Sequence, residues 1–352
     1  MSLSLAIVGL PNVGKSSLFN LLTKNKAEAS NYPFCTIDPN VGVVTVPDIR
    51  LDALAKLSNS KKIIPTTIEF VDVAGLVKGA HKGEGLGNQF LASIRECDAI
   101  CEVVRGFEDD NIIHVSGKVD PKEDKEVIAL ELVFADLNTV TKRLGKVARE
   151  SKSGDKELIS LRKVLEKLQK HLEEGGAVRD MDLDDKETEL IKSLSFLTNK
   201  PIIYVLNTDD QDYDLGTNKA NSIKINVKLE QEIMALDVQE QKEYLEELGL
   251  EKSGLDKLIA TSYDLLGLDT FLTTGPEETR AWTIKKGATA PQAGAAIHTD
   301  FEKQFIRVEA INWEILVEAG SELNAKEKGL IRTEGKTYIV KDGDVCNFLV
   351  SK

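Results

Sequence analysis

A glycine-rich run near the amino terminus has the residue types and the spacing of a phosphate-binding loop. Residues 9–16 fit G-x-x-x-x-G-K-[ST] and lie between an apolar strand and a helix, which is the context that this motif requires. Glycines let main-chain N–H groups approach phosphate oxygens at the start of a helix. Lys15 offsets charge on the β- and γ-phosphates, and Ser16 offers its hydroxyl oxygen to Mg²⁺. The predicted phosphate-binding residues are Asn12, Val13, Gly14, Lys15, Ser16 and Ser17.

A second motif fits a nucleotide-dependent switch. Asp72 follows a strand predicted at residues 66–71 and begins a D-x-x-G sequence that ends at Gly75, in which the Asp holds Mg²⁺ through water. Further glycines between residues 79 and 87 predict a loop that reorders around a γ-phosphate. The alternative is a glycine-rich surface turn. Between the two motifs, Thr36 is a candidate to close over Mg²⁺, although taken alone it is typical of a turn.

The run that begins at Asn207 is a candidate for base recognition. It follows a strand predicted at residues 201–206, where GTPases of this class place N-K-x-D. Thr208 replaces the Lys of that motif, and Asp210 has the spacing of the Asp that accepts the guanine N1 and N2 protons. The alternative is an Asn that caps an acidic loop. Asp210 alone therefore favours guanine.

The residue that orients the attacking water is not evident. Leu76 follows D-x-x-G, where Ras-like proteins carry a Gln, and a leucine cannot position water. Hydrolysis then needs another group, a bound cation or a partner. His81 and His114 are the nearest candidates, although a lone histidine is more often structural or merely exposed.

Alternating strand and helix patterns predict the scaffold that positions these residues. A helix is predicted at residues 15–24, and a mainly parallel sheet covered on both faces is indicated. Its predicted strands are residues 3–8, 42–46, 66–71, 99–104 and 201–206.

Long, charged, helix-forming sequence interrupts the sheet between residues 120 and 200. Two apolar seams with steps of three and four predict an antiparallel helical hairpin that turns at residues 151–155, with arms of about 25 Å. The seams are Leu130, Val133, Leu137, Val140, Leu144 and Val147, and then Leu158, Leu161, Leu165, Leu168 and Leu172. A third helix is predicted at residues 185–197.

The sequence becomes strand-like again beyond a helical region at residues 255–265. A compact mixed α/β module is predicted from about residue 268, with a single short helix at residues 291–298. Its predicted strands are residues 280–284, 305–310, 337–340 and 345–350.

Composition limits the class of protein. A chain of 352 residues predicts two or three domains. A net charge of −13, from 45 Lys and Arg against 58 Asp and Glu, argues against a generally basic protein that coats duplexes, while a local basic patch stays open. The four cysteines match no zinc spacing and predict buried, reduced thiols. No run approaches the roughly 18 apolar residues of a membrane span, so we expect a cytoplasmic protein with neither a membrane partner nor sequence-specific DNA binding.

Together the motifs resemble those of the Obg-like ATPases, the YchF subfamily of the translation-factor GTPase relatives. The resemblance covers essentially the whole chain and is carried by residues 9–16, 31–39, 72–80, 86–91, 280–284, 288–292, 297–303 and 342–345. It implies hydrolysis of ATP to ADP, Mg²⁺ held at Ser16 and Thr36, a coiled-coil insertion, a C-terminal TGS domain of β-grasp type, and association with the ribosome or its large subunit.

The resemblance also implies roles for single residues. Family members have an apolar residue at the position of Leu76, and related enzymes hold K⁺ at the position of Asn12. His114 matches a histidine proposed to reach the phosphates, and the wall of the base pocket includes Val227 and Lys228. One departure stands out, because the family usually has Glu where this chain has Asp210.

The resulting hypothesis is a P-loop, GTPase-like domain (residues 1–120 and 200–267) with a helical insertion (121–199) and a TGS domain (268–352). We expect it to hydrolyse ATP as a ribosome-linked switch in translation or stress response. Asn207 is expected to read the purine edge with help from the backbone of Thr208. The open alternatives are a GTPase of the same fold and a nucleotide-dependent adaptor whose hydrolysis is incidental.

Overall fold

The computed structural model describes residues 3–24, 40–73, 86–115, 117–209, 213–216 and 221–351. The strands are β1 Ser4–Val8, β2 Val41–Thr45, β3 Lys62–Ile64, β4 Thr67–Asp72, β5 Ala99–Gly106, β6 Ile202–Thr208, β7 Ser222–Ile225, β8 Leu268–Thr274, β9 Glu278–Lys285, β10 Phe305–Asn312, β11 Arg332–Glu334 and β12 Asp344–Val350. The helices are α1 Lys15–Lys24, α2 Ile49–Ser58, α3 Leu86–Glu96, α4 Pro121–Glu150, α5 Lys156–Glu173, α6 Asp185–Ile191, α7 Val227–Ile233, α8 Val238–Glu247, α9 Gly254–Leu265, α10 Ala290–Ala295, α11 Asp300–Gln304, α12 Trp313–Ala319 and α13 Glu322–Glu327.

The first sheet has the order β2-β4-β1-β5-β6-β7, and every neighbouring pair is parallel except β2 with β4. Its central strands are continuous apolar runs because helices cover the sheet, and every residue of β5 is buried. Side chains from α1, α3, α4 and α9 complete the core. The predicted parallel sheet is confirmed, and α1 begins and ends at the predicted residues.

The insertion is a helical hairpin, as predicted, but its arms are unequal. Asp120 caps α4 by accepting a hydrogen bond from the Glu123 amide (3.1 Å), and Asp155 caps α5. With 30 residues, α4 spans about 45 Å, whereas the 18 residues of α5 span about 27 Å. The prediction of two arms of about 25 Å each was wrong, because the first turns of α4 pack on the sheet rather than on α5. The residues that make this contact are Ile128, Leu132 and Ala135.

The apolar seam also differs in detail from the prediction. Val140 and Val147 are buried against α5, but Leu130 is 45% exposed and does not belong to the seam. The predicted third helix is shorter, because α6 ends at Ile191 and Ser195 takes a left-handed φ of 46°.

A buried carboxylate fixes the return of the insertion to the sheet. Asp136 on α4 accepts hydrogen bonds from the Leu197 amide (3.0 Å), the Thr198 amide (2.8 Å) and the Thr198 hydroxyl (2.8 Å). The Arg95 guanidinium of α3 lies 3.9 Å from the same carboxylate and also donates to the Ser195 carbonyl. Helix α3 is therefore tied to the insertion by polar contacts at its carboxyl end.

The second sheet has the order β11-β10-β12-β8-β9-β3. A β8–β9 hairpin, β12 parallel to β8 and β10 antiparallel to β12 make the β-grasp arrangement that was predicted. The single predicted helix was wrong, since α10, α11, α12 and α13 all occur in this region. The predicted strand at residues 337–340 was also wrong, because Ile339 makes an isolated bridge to Thr289 there instead of belonging to a continuous strand.

An unpredicted strand enters this sheet from the amino-terminal part of the chain. Lys62 and Ile64 of β3 pair in parallel with Glu278 and Arg280 of β9. Leu51 and Leu54 of the preceding helix α2 are buried in the same apolar cluster as β8 and α12. The predicted domain boundaries stay a prediction, and residues 49–64 pack with the second sheet.

Two simpler expectations concern cysteines and membranes. Cys97, Cys101 and Cys346 are buried free thiols, and burial raises the pKa of Cys97 to about 11. Cys35 lies outside the described residues. Within the described ranges, no helix combines the length and the apolar character needed to cross a bilayer.

Candidate functional site

A cavity of about 580 Å³ opens at the carboxyl ends of β1, β5, β6 and β7. Ligands of open α/β sheets bind at this edge, where the loops after successive strands meet. Most of the predicted site residues that the structure describes lie here, with several that sequence reasoning did not identify. The lining residues are Asn12, Gly14, Lys15, Ser16, Ser17, Phe107, Glu108, Asp109, Ile112, Asn207, Thr208, Asp209, Asn226, Val227, Lys228 and Gln231.

The loop between β1 and α1 forms the floor of the cavity. Gly9 has a φ of 154° and Gly14 a φ of 100°, and Asn12 is also left-handed with a φ of 63°. A Cβ atom on Gly14 would lie 2.5 Å from the Asn207 Nδ2, and one on Gly9 would lie 2.5 Å from the Val103 carbonyl oxygen. The two glycines are therefore required by close approach as well as by φ, which leaves the main chain facing the cavity.

Lys15 is the cation at the start of α1. Its ammonium donates to the Leu10 carbonyl at 2.7 Å, and an ammonium carries three donors, so two remain for a ligand. Burial lowers the pKa of Lys15, and the Asp72 carboxylate partly opposes this change. Burial likewise raises the pKa of Asp72, and Lys15 opposes it. The pair therefore places one positive and one acidic group beside the phosphate loop.

Asn207 connects three elements rather than simply facing a ligand. Its Nδ2 donates to the Val13 carbonyl (3.0 Å), and its Oδ1 accepts from the Val227 amide (3.2 Å). The first contact ties β6 to the phosphate loop and the second ties it to the start of α7. Asn226 caps the same helix by accepting from the Leu229 amide at 3.0 Å. Asn207 thus has one remaining amide N–H for the purine edge that it was expected to read.

The wall opposite α7 is a loop that sequence reasoning missed. Arg105, only 2% exposed, donates to the carbonyls of Phe107 (3.0 Å), Ile112 (2.9 Å) and Asp109 (3.4 Å). Its guanidinium carbon also lies 4.4 Å from the centre of the Phe107 ring. An arginine at the end of an otherwise apolar strand, followed by an acidic run, was the available signal. The buried cation shapes the loop at residues 107–112.

His114 does not lie among the residues that line the cavity. Its Nε2 is 2.9 Å from the Asp124 Oδ2 at the start of α4, and both side chains are buried. Burial raises the pKa of Asp124, and the hydrogen bond to His114 opposes this change. The adjacent Ile113 carbonyl accepts a hydrogen bond from the Asn12 side chain at 3.1 Å. Asn12 therefore links the phosphate loop to the segment that carries His114.

The oxygen donors beside the phosphate loop indicate which metal ion this site could hold. Ser16 begins α1 beside Lys15, and Asp72 ends β4. Among the described residues, no group of three His, Cys, Asp or Glu forms a ready-made metal cage. This arrangement fits Mg²⁺, which is usually bound by one or two carboxylates, water and substrate phosphates. Other predicted site residues lie outside the described ranges, namely Thr36, Gly75, Leu76, His81 and Asp210.

Comparisons with known proteins agree along the whole chain. Residues 4–142 match the family model described as "50S ribosome-binding GTPase". Residues 268–351 match the model for the C-terminal region of YchF GTPases, described as "Protein of unknown function (DUF933)". A Bacillus subtilis protein named "Ribosome-binding ATPase YchF" is 50% identical over 363 aligned residues, with 99% of each chain covered. The Escherichia coli O157:H7 protein of that name is 52% identical over 360 residues, again with 99% of each covered.

A solved structure extends the agreement to the fold. The "Structure of the Schizosaccharomyces pombe YchF GTPase" superposes with a TM-score of 0.85 at 37% identity, covering 99% of this chain and 98% of that one. It therefore shares the nucleotide-binding domain, the helical insertion and the C-terminal TGS-like domain. By full-length identity and shared fold, this chain belongs to the YchF family of Obg-like P-loop nucleoside-triphosphatases.

Proposed function

We propose that the chain binds and hydrolyses ATP with Mg²⁺ in this cavity and associates with the ribosome as a nucleotide-dependent switch in the cytoplasm. The observation that carries the proposal is the position of Gly14 and Lys15, which face a cavity large enough for a nucleotide. The names of the Bacillus and Escherichia relatives support ATP and the ribosome as the ligands.

The phosphate side of the cavity is assigned to the loop and the start of α1. Main-chain N–H groups of Val13, Gly14 and Lys15 bind phosphate oxygens, and the Lys15 ammonium stabilises the β- and γ-phosphates. Ser16, Asp72 and Thr36 are the oxygen donors for Mg²⁺, with Asp72 acting through water. When bound, Mg²⁺ supplies positive charge beside the phosphates. Ser17 completes the phosphate contacts.

His114 is proposed as the catalytic residue that acts on the attacking water. In the described arrangement its ring is held by Asp124, so reaching the phosphates requires this hydrogen bond to open. Asn12 is proposed as a K⁺ ligand through the Oδ1 of its side chain, while its Nδ2 holds the Ile113 carbonyl. A cation at Asn12 would therefore act next to the His114 segment.

Single-turnover hydrolysis tests these two assignments. His114→Ala should leave ATP affinity nearly unchanged and lower the rate, because a residue that acts on the transition state changes rate more than ground-state affinity. His81→Ala is the control. Slowing by the His81 change alone would reject His114, and equal rates in K⁺ and Na⁺ would reject the cation role of Asn12.

The second candidate is a GTPase of the same fold. It is favoured by the spacing of Asp210 after Asn207 and by the description of the yeast relative as a GTPase. Competition between ATP and GTP for a fluorescent diphosphate analogue distinguishes the two. A dissociation constant at least tenfold lower for GTP than for ATP, about 1.4 kcal/mol in binding free energy, would overturn the assignment of ATP. The assignment of the phosphate site would still stand. If Asp210 is what weakens the discrimination between ATP and GTP, Asp210→Glu should increase the ratio of ATP affinity to GTP affinity.

Ribosome association is tested by turnover and sedimentation together. We expect ribosomes to stimulate hydrolysis and to co-sediment with the chain in a nucleotide-dependent way. An adaptor whose hydrolysis is incidental would co-sediment without stimulation, and a hydrolysis-deficient variant would keep its function. Absence of co-sedimentation at low salt in every nucleotide state would overturn the ribosome assignment.

A further inference from the structure

A second cavity, of about 460 Å³, lies within the second sheet. Strand β12 pairs with β10 over residues 344–350, but within the described ranges it pairs with β8 only through Val345 and Leu272. The residues that follow this pair line the cavity, namely Thr273 and Thr274 on β8 and residues 346–348 on β12. Successive residues of a strand point to opposite faces of a sheet, so a cavity lined by several in a row lies in a gap between the two strands.

The apolar walls of this cavity are built before a ligand arrives. They come from both apolar clusters that flank the sheet, namely from Ile297, Phe348, Ile311, Leu316 and Ile331. The Phe348 ring is held edge-on by Phe271, with ring centres 5.4 Å apart, and by Phe305, at 6.4 Å. Packing therefore fixes these side chains already, which lowers the cost of ordering them on binding.

The charged groups of the cavity are carboxylates. Glu309 and Glu322 line it, whereas its described lining contains no Lys, Arg or His. Lys326 lies at the rim, 2.8 Å from the Glu322 carboxylate. The contact with Glu322 raises the pKa of Lys326, and the charge of Glu309 adds a smaller contribution in the same direction. Two carboxylates against one ammonium leave one negative charge in excess.

Glu309 is the carboxylate that can accept from a ligand. It is half-buried on β10, and its neighbour on β12, Asn347, donates to its Oε2 at 3.3 Å. A carboxylate offers about four acceptor positions, so this contact leaves capacity for an ammonium group. The aromatic rings of Phe301 and Phe348, which line the same cavity, also attract cations.

This combination of groups selects among classes of ligand. Phosphates and other anions would meet the excess negative charge, so a second nucleotide does not fit here. A wholly apolar molecule would take water from Glu309 without replacing its hydrogen bonds. Among the residues with described side chains, no three acidic, His or Cys groups come together to hold a metal ion. What fits is a molecule with an apolar body and one cationic head.

We propose that this cavity binds a small organic cation, an ammonium group carried on a hydrocarbon or aromatic body. The ammonium contacts Glu309, and the body lies between Phe348 and Leu316. The volume is in the range of small-molecule pockets. The site shares no lining residue with the nucleotide cavity, so the inference goes beyond the proposed function and does not rest on it.

Titration of the full chain with phenethylammonium tests the site, with isotope-labelled isoleucine methyl groups observed by NMR. We expect a millimolar dissociation constant and shifts at Ile297, Ile311 and Ile331. Ile112, which lines the nucleotide cavity, should not shift. Phenethyl alcohol has the same apolar body without the charge, so it should bind at least tenfold more weakly. Phenylacetate, an anion of similar size, should cause no shift at all.

A charge-removing variant tests the contact with Glu309. Glu309→Gln should weaken phenethylammonium binding at least tenfold and leave the affinity for phenethyl alcohol unchanged, because only the charge is lost. A variant that was merely misfolded would lose both ligands. The matched control is Glu327→Gln, which removes an exposed carboxylate of α13 that does not line the cavity. It should bind phenethylammonium as the wild type does, and both variants should hydrolyse ATP at the wild-type rate.

Three results would overturn the inference. Shifts at Ile112 without shifts at Ile297, Ile311 and Ile331 would place the amine in the nucleotide cavity. Equal affinity for phenethylammonium and phenethyl alcohol would show an apolar pocket that does not recognise charge. Equal losses in Glu309→Gln and Glu327→Gln would show attraction to the overall acidity of the chain rather than to this carboxylate. The proposed ATPase site is unaffected by any of these results.

Discussion

Lys15 and Asp72 influence each other's charge at the edge of the cavity. Burial disfavours the charged form of both groups, and each is the main charged neighbour that opposes this effect in the other. The arrangement keeps a cation available for phosphate and a carboxylate available for a metal ion. Both would be harder to ionise alone.

Lys15→Met should therefore change two measurable quantities. Nucleotide triphosphate affinity should fall by about 3 kcal/mol, roughly a hundredfold, because the ammonium contact is lost, as isothermal titration would measure. The pKa of Asp72 should rise further above its ordinary value of 3.8, as carbon NMR titration would measure. The pKa of Asp72 is higher in the folded protein than in the unfolded chain, so the free energy of unfolding should fall as the pH rises from the unfolded-state pKa through the folded-state pKa. This fall should be larger in Lys15→Met than in the wild type.

Lys228→Ala is the matched control, since it removes a cation from the opposite wall of the same cavity. A comparable loss of affinity in this control would mean that overall charge, rather than the phosphate loop, controls binding. An unchanged Asp72 pKa in Lys15→Met would contradict the coupling between the two groups.

Arg105 is the residue that best explains the shape of the cavity's second wall. A lysine carries three donors on one nitrogen and cannot reproduce a planar fork that contacts three carbonyls. Arg105→Lys should lower the free energy of unfolding by about 2–3 kcal/mol, measured by urea denaturation. Nucleotide binding should weaken about tenfold while inorganic triphosphate binds as before, because only the base-side wall loosens.

Arg280→Lys provides the comparison for that experiment. Its guanidinium carbon lies 4.0 Å from the centre of the Trp282 ring in the second sheet, and neither residue lines the cavity. This change should leave nucleotide affinity unaltered. Equal losses of nucleotide and inorganic triphosphate affinity in Arg105→Lys would show that the phosphate loop, not the wall, had been disturbed.

At the scale of elements, local pattern predicted most of the first sheet and the phosphate loop. These two features are visible in short stretches of sequence, since buried parallel strands are apolar runs and the phosphate loop needs glycines at fixed positions. The length of α4 was underestimated because its first turns bury side chains against the sheet instead of continuing the seam with α5. Short helices such as α12 and α13 carry too few turns to show a period.

The cavity was only partly predictable for a related reason. Residues in motifs were found, but the wall at residues 107–112 depends on the side chain of Arg105 folding back on carbonyls, which no spacing rule encodes. The role of Asn207 as a brace likewise depends on Val13 and Val227, which are distant in sequence.

We call the contact of Asp136 on α4 with Leu197 and Thr198 the joint between the insertion and the first sheet, and it gives a prediction about the stability of the fold. Asp136→Ala leaves the amides of Leu197 and Thr198 without their acceptor in a buried position. We expect the free energy of unfolding to fall by about 3–5 kcal/mol, measured by guanidinium denaturation. Asp155→Ala, which removes an exposed cap from α5, should cost only about 1 kcal/mol. Similar losses in the two variants would argue against a special role for the joint.

At the scale of the whole molecule, the two sheets are not independent. Leu51, Leu54 and Ile64 belong to the amino-terminal part of the chain but are covered by the second sheet and its helices. A chain that ends at Leu266 should therefore melt at a lower temperature and bind a hydrophobic dye. Nucleotide affinity should be retained within about threefold, or 0.6 kcal/mol, because the residues that line the cavity all precede 232.

Changing Leu51 and Leu54 to Ser in the shortened chain should abolish the dye signal, which would locate the exposed surface. The same two changes in the full chain should lower its melting temperature. An unchanged melting temperature and no dye binding after shortening would contradict the shared packing.

The pairing of β3 with β9 also sets an order of events during synthesis. Lys61 and Glu277, which form an ion pair at this junction, are 216 residues apart. At about 5–20 residues per second, the early strand waits roughly 10–40 s for its partner to be translated. Until then the edge of β3 and the apolar face of α2 have no β9 or β8 to cover them. Strands β8 and β9, which are translated late, therefore complete the packing of α2 and β3, which are translated early. A chain whose synthesis is interrupted before β8 leaves the surface of α2 and β3 open to chaperones and proteases.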